Sequence, residues 1–239
     1  MTQEERKQII NLVKQEVIPA IGCTEPIAVA LCVAKATEVL GCRPEKINVF
    51  LSANILKNAM GVGIPGTGMI GLPIAVALGA LIGKSSYQLE VLKDSTPQAV
   101  EEGKAYLNEK RISIALKDDC TEKLYVEVVC EAGSSHSCAI ISGEHTRFVF
   151  VSKDADVLLK EDVVADASAQ EKTLNLTLHK VYDFALTAPL AEIAFILDTA
   201  KLNKAAAESS FKGNYGHSLG RMLKGDSEKR MMGNGTLSR

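Results

Sequence analysis

Apolar side chains fall at helical spacing from the first residues onward. Ile9, Ile10, Val13 and Val17 share one stripe of an otherwise charged segment, 3–18. That periodicity predicts an amphipathic helix. Beyond Pro19 the pattern changes, and from Ile27 to Leu40 nearly every position is apolar. Pro26 suits a first helical turn and Gly41 a stop, so a buried helix is expected from about Thr24. Residues 46–51 alternate, with Ile47, Val49 and Leu51 on one face, and predict a strand. A further helix is expected over 72–83 with Pro73 in its first turn, and another from Thr96-Pro97 to about Lys110.

The period then shortens to two. Segments 112–116, 124–130, 137–141 and 147–151 predict strands, separated by turn signals at Lys117-Asp118-Asp119, Ala132-Gly133-Ser134 and Ser142-Gly143-Glu144. From Asp154 onward no strand is expected; 177–186, 190–208 and a short stretch over 217–224 read as helices. Strands grouped with strands predict an α+β fold: an antiparallel sheet flanked by helices, then a helical segment that begins a second domain. The polar stretch 153–172 is the expected seam, which gives domains at 1–153 and 154–239.

Composition narrows the function classes. The chain is 46% hydrophobic and 23% charged, an ordinary globular balance, with a formal charge of −2 and no basic run. Nucleic acid is therefore not an expected partner. Between Lys57 and Lys84 no residue is charged, but glycines and two prolines interrupt the run, and exposed backbone is costly in lipid. No membrane partner is expected either. The N-terminus is charged where a secretory signal would turn apolar, and the 6 cysteines contain no CxxC pair, so a reducing cytoplasmic location is expected.

Two places concentrate candidate chemistry. The first is the glycine segment, where Gly61-Gly63-Gly66 and Gly66-Gly68-Gly71 each fit G-x-G-x-x-G. A dinucleotide fingerprint should follow a strand directly inside a βαβ unit, and here residues 53–60 intervene. Close helix packing that needs small residues is a second reading. The third is an anion cradle in which backbone N–H groups of Gly66, Thr67 and Gly68 meet a carboxylate or phosphate, with Lys57 and Asn58 supplying a charge and an amide. The second place is Cys23, just before a helix start, where the macrodipole would stabilise a thiolate. Cys32 reads as core filler. Among the histidines, His145 sits in a turn, where loops place reactive groups. No local Ser/His/Asp arrangement supports a hydrolase triad.

The stretches Gly22-Cys23-Thr24-Glu25-Pro26, Lys57-Asn58-Ala59-Met60-Gly61-Val62 and Ile64-Pro65-Gly66-Thr67-Gly68-Met69-Ile70-Gly71-Leu72-Pro73 resemble the L-cysteine desulfidase family, also known as UPF0597. That family is related to the iron–sulfur L-serine dehydratases. Leu89 to Asp94, Gly143-Glu144-His145-Thr146, Phe195 to Asn203 and Gly216-His217 extend the resemblance in one order over nearly the whole chain. It implies a lyase that carries out β-elimination on L-cysteine, giving sulfide, ammonia and pyruvate, or on L-serine. It also implies a 4Fe–4S cluster in the full-length family, and an active-centre role for Cys23 as base or cluster-proximal thiolate. His145 or Lys57 would complete a pocket in which Asn58 and the Gly66-Thr67-Gly68 cradle hold the substrate carboxylate.

The family's remaining cluster cysteines belong to a C-terminal half that this chain does not match. The resemblance thus covers the N-terminal half only, and implies no cluster and no activity in this chain alone, absent a partner carrying the other half. Homo-oligomers are a further expectation. Two other functions stay open: a pyridoxal-phosphate lyase with Lys57 as Schiff base, and a non-catalytic small-anion binding module.

Overall fold

The computed structural model describes residues 1–161, 175–213 and 218–230. In chain order the elements are α1 (Gln3–Glu16), α2 (Thr24–Leu40), β1 (Lys46–Leu51), α3 (Ala53–Ala59), β2 (Gly63–Ile64), β3 (Met69–Ile70), α4 (Leu72–Ile82) and α5 (Pro97–Asn108). Then come β4 (Ile112–Leu116), β5 (Tyr125–Ala132), β6 (Ser135–Ser142), β7 (Phe148–Lys153) and β8 (Asp156–Lys160). Four helices follow: α6 (Leu178–Thr187), α7 (Leu190–Ile193), α8 (Leu197–Lys212) and α9 (Leu219–Arg230). The α+β expectation holds. Two compact units result, one of residues 18–170 and one that joins 1–17 to 171–239.

In the first unit a six-stranded sheet runs in the order β4-β1-β5-β6-β7-β8. All neighbours are antiparallel except β1 and β4, which pair in parallel with Ile47 opposite Ile112 and Leu51 opposite Leu116. The inner face of the sheet is the alternating set expected from the sequence: Ile47, Val49 and Leu51 with Val126, Val128, Ala139, Ile141 and Val151, all buried. Helix α2 lies on β5 and β6, with α4 packed along it. Because α2 is covered by the sheet, by α4 and by a 3-10 turn at Ser85–Glu90, its residues from Pro26 to Ala34 are all buried. Each large aliphatic side chain so enclosed is worth about 1.5–3 kcal/mol.

Close approach of α2 and α4 depends on a missing side chain. A Cβ on Gly79 would stand 2.6 Å from the Ala30 carbonyl oxygen and 3.1 Å from its Cα. Gly79 lies in α4, beyond the Gly61-to-Gly71 motifs for which close packing is one reading. Gly61 to Gly71 behave differently and are described with the site.

The structure departs from the sequence-based expectation at one strand. A strand, β8, occupies 156–160, where none was expected; Asp154 takes φ +49 and turns the chain back from β7. The expected seam at 153–172 is therefore sheet up to Lys160, and its residues 162–172 lie outside the described residues. The uncharged run after Lys57 is divided among α3, a two-stranded hairpin of β2 and β3, and α4. Among the described residues no helix is long and apolar enough to cross a membrane. His217, and with it the start of the expected 217–224 helix, lies outside the described residues, while α9 covers Leu219–Arg230.

The second unit is helical. Thr2 and Glu5 form a capping box at the start of α1. The same helix is tied to its neighbours by ion pairs: Glu5 to Lys180 at 3.0 Å, Arg6 to Glu192 at 3.0 Å, and the Met1 amino group to Asp183 at 2.9 Å.

Candidate functional site

Cys23 is the N-cap residue of α2, with extended backbone (φ −60°, ψ 132°) and no side-chain cap bond. Its thiol donates to Glu25 Oε2 at 2.9 Å, and the Thr24 hydroxyl donates to the same oxygen at 3.3 Å. The other carboxylate oxygen, Oε1, accepts from Asn58 Nδ2 at 3.3 Å. Glu25 stands in the first turn of its helix, so its charge also complements the exposed N–H groups there.

These contacts fix two protonation states. The Glu25 carboxyl is held below the usual carboxylate range, first by the Cys23 hydrogen bond, against the opposing effect of partial burial, with its own backbone N–H, Asn58 and the neighbouring His145 adding to the shift. The Cys23 thiol is pushed above its ordinary range by burial and then by its bond to the Glu25 carboxylate. The helix start alone suggests a stabilised thiolate; partial desolvation and an adjacent anion reverse that direction. At rest the pair is thiol and carboxylate.

The glycine loop closes on the same motif. β2 and β3 form a hairpin, with Gly63 opposite Ile70 and Ile64 opposite Met69. Its turn needs left-handed backbone at Gly66 (φ +76) and Gly68 (φ +65). An antiparallel hairpin is not the strand-turn-helix of a dinucleotide fingerprint. Thr67 between them is only 6% exposed, and its hydroxyl donates to the Ile64 carbonyl at 2.7 Å while accepting from the Met69 N–H at 3.0 Å. That hydroxyl is spent on holding the loop. Gly66 and Gly68 stay exposed, with open space where a Cβ would stand. A Cβ on Gly22 would meet the Pro65 ring at 2.9 Å. The Gly22-to-Pro26 motif is thereby seated against the Pro65-Gly66-Thr67-Gly68 turn.

Placement of the remaining candidates is mixed. Lys57 is exposed on α3, and Asn58, on the next position, turns its amide to Glu25 instead of to open space. His145 is half-buried in the loop between β6 and β7, and its charge is the smallest of the influences that lower Glu25. Two separate stretches of chain, 23–24 and Asn58, thus meet on one carboxylate. Glu25 itself is the residue that sequence reasoning left out of the site, although it lies inside the quoted motif; an acidic residue in a first helical turn reads as ordinary macrodipole complement.

A 4Fe–4S cluster is bound through cysteine thiolates. Cys23 is the thiol that this site offers, and Cys32 is enclosed in the core with its thiol aimed at the Ala139 carbonyl at 3.2 Å. Among the described residues no three His, Cys, Asp or Glu side chains converge in a metal-binding group. The described residues of this chain do not by themselves make a donor set for such a cluster.

Comparison with known proteins gives high similarity over the whole chain. A UPF0597 protein of Bacteroides fragilis is 71% identical over 238 residues, covering 100% of this chain and 56% of the relative. UPF0597 proteins of Porphyromonas gingivalis and Aeromonas hydrophila are 44% identical over 245 residues and 39% identical over 226 residues, covering 57% and 51% of those relatives. No family model matches the chain, and no solved structure matches it. The chain spans about half the length of the curated relatives it matches, and over that span it is similar to UPF0597 proteins.

Proposed function

We propose that this chain, similar from end to end to UPF0597 proteins, supplies the proton-handling residues of an amino-acid lyase of the L-cysteine desulfidase type. The observation that carries the reading is the Cys23 thiol on the Glu25 carboxylate at 2.9 Å, with Asn58 on the second carboxylate oxygen. A thiol beside an ionised carboxylate is one proton transfer away from a thiolate base. Glu25 accepts the Cys23 proton, and the Cys23 sulfur then removes the α-proton of the substrate. The Cα electron pair forms the double bond as the Cβ–S bond breaks. The departing hydrosulfide takes the proton held on Glu25 and leaves as hydrogen sulfide. The aminoacrylate left behind hydrolyses to pyruvate and ammonia. With L-serine the same sequence releases water.

In this reading the exposed Gly66 and Gly68 turn presents backbone N–H groups to the substrate carboxylate, Asn58 orients Glu25, and Lys57 and His145 border the pocket. Thr67 maintains the turn. The test co-expresses this chain with a polypeptide covering the rest of the Bacteroides fragilis relative, under anaerobic iron and sulfide reconstitution, and follows pyruvate release from L-cysteine and L-serine. Turnover is expected for one of the two, abolished by Cys23→Ala and reduced about 100-fold or more by Glu25→Gln. Full activity of Cys23→Ala, or no turnover with either amino acid, overturns the proposal.

A further inference from the structure

Helix α6 is least exposed at Lys180, Asp183 and Phe184, and the two charged side chains tie it to the N-terminal segment. Lys180 pairs with Glu5 of α1 at 3.0 Å, and Asp183 pairs with the Met1 amino group at 2.9 Å. At the helical repeat of 100° per residue Lys180 lies on the far side of the helix from the stripe made by Leu178, Tyr182 and Leu186, and Asp183 lies on the flank of that stripe. That stripe is bare: Leu178 is 86% exposed, Tyr182 64% and Leu186 67%, and Leu190 just beyond is 82% exposed. No residue of α6, α7 or α8 is buried. A helix tied by ion pairs and carrying a row of exposed large apolar side chains has the kind of surface that marks an interaction site.

The curated relatives continue well beyond the region that matches, since this chain covers 56% of the Bacteroides fragilis protein and 57% of the Porphyromonas gingivalis protein. In those proteins the extra length is tethered to this region, and so is present at high effective concentration. We infer that the Leu178-Tyr182-Leu186-Leu190 stripe is the docking surface for that further part of the polypeptide, through an apolar face of it. The inference is independent of the chemistry at Cys23.

The test needs no turnover. This chain is co-expressed with a polypeptide covering the rest of the Bacteroides fragilis relative, purified through a tag on one partner, and examined by sedimentation and by amide hydrogen exchange. A 1:1 complex is expected, with new protection over 178–190. The double variant Tyr182→Glu, Leu186→Glu should weaken the complex by at least about 100-fold, because apolar anchors at the centre of an interface dominate its affinity. Lys201→Glu, at an exposed position of α8, should leave it unchanged. Circular dichroism shows whether the double variant keeps its helices, and where it does not, the exchange protection of the unaltered complex decides. Three results overturn the inference: no complex; a complex with protection elsewhere and no response to the double variant; or self-association of this chain alone through 178–190, which makes a second copy the occupant.

Discussion

Cys23 and Glu25 are bound side chain to side chain across the first turn of one helix, sulfur to carboxylate oxygen at 2.9 Å, and the bond raises the thiol as it lowers the acid. The two shifts have the same sign in effect: both keep the proton on sulfur. Removing the charge of Glu25 removes an anion from beside the thiol. Glu25→Gln should therefore lower the Cys23 pKa and raise its alkylation by iodoacetamide at pH 8 several-fold. Peptide-resolved mass spectrometry separates Cys23 from the exposed Cys42. An unchanged or slower rate at Cys23 would show that burial alone governs the thiol.

Gly22 is required by the ring it lies against. Gly22→Val places a Cβ at 2.9 Å from Pro65 Cγ, so either the motif or the hairpin must move. Overpacking of this kind costs about 1–3 kcal/mol. Gly61, with open space at its Cβ position and no left-handed backbone, is the control: Gly61→Ala should change stability by less than about 0.5 kcal/mol. Urea midpoints of the two variants distinguish a local requirement from a general demand for glycine in this loop.

Thr67 offers a direct contrast between holding the loop and binding a ligand. Thr67→Val keeps the shape but removes the hydroxyl that donates to Ile64 and accepts from Met69. A loss of about 1–3 kcal/mol is expected, with Thr67→Ser restoring most of it. If Thr67→Val left stability unchanged while altering affinity for L-cysteine, the hydroxyl would belong to the substrate and not to the turn.

Acid should loosen the helical unit before neutral pH does. The Glu5 carboxyl is lowered from 4.5 to about 2, first by the Thr2 backbone N–H and then by Lys180. A depressed acid contributes stability above its unfolded pKa and loses it as pH falls through the folded value. The contribution of Glu5 is thus present above about pH 4.5 and declines toward pH 2. Limited proteolysis between residues 1 and 17 should accelerate across that window, and Glu5→Gln should flatten the response.

Much of the α+β unit was legible because its core follows simple periods. The unbroken apolar run of α2 marks a helix covered on several sides, and the alternation in β1, β5 and β6 marks one buried sheet face. What escaped has a physical reason in each case. β8 is short, wholly exposed and opened by Asp156, so nothing in its pattern signals a pleated, half-buried surface. The β2–β3 hairpin rests on two residues a side and on three backbone conformations at Gly66, Gly68 and Gly71, not on side-chain alternation. The parallel pairing of β1 with β4 joins strands far apart in sequence, which no local pattern specifies. For the site, the motif draws notice to Cys23, but its partner is recognisable only from the fold, which brings Asn58 onto the Glu25 carboxylate that accepts from the thiol.

The parallel β1–β4 pair carries a further consequence for how the molecule is made. Parallel neighbours need a long crossover, and here the crossover from Leu51 to Ile112 contains α3, the glycine hairpin, α4 and α5. Asn58, Pro65 and the Gly66-to-Gly68 turn all ride on that excursion. Closing so long a loop is entropically expensive and comes late relative to local contacts. The antiparallel meander from β5 to β8 can assemble by successive hairpins, so the topology predicts that its amides gain protection during refolding before those of the excursion that carries Asn58 and Pro65, an order that pulse-labelled hydrogen exchange reads out.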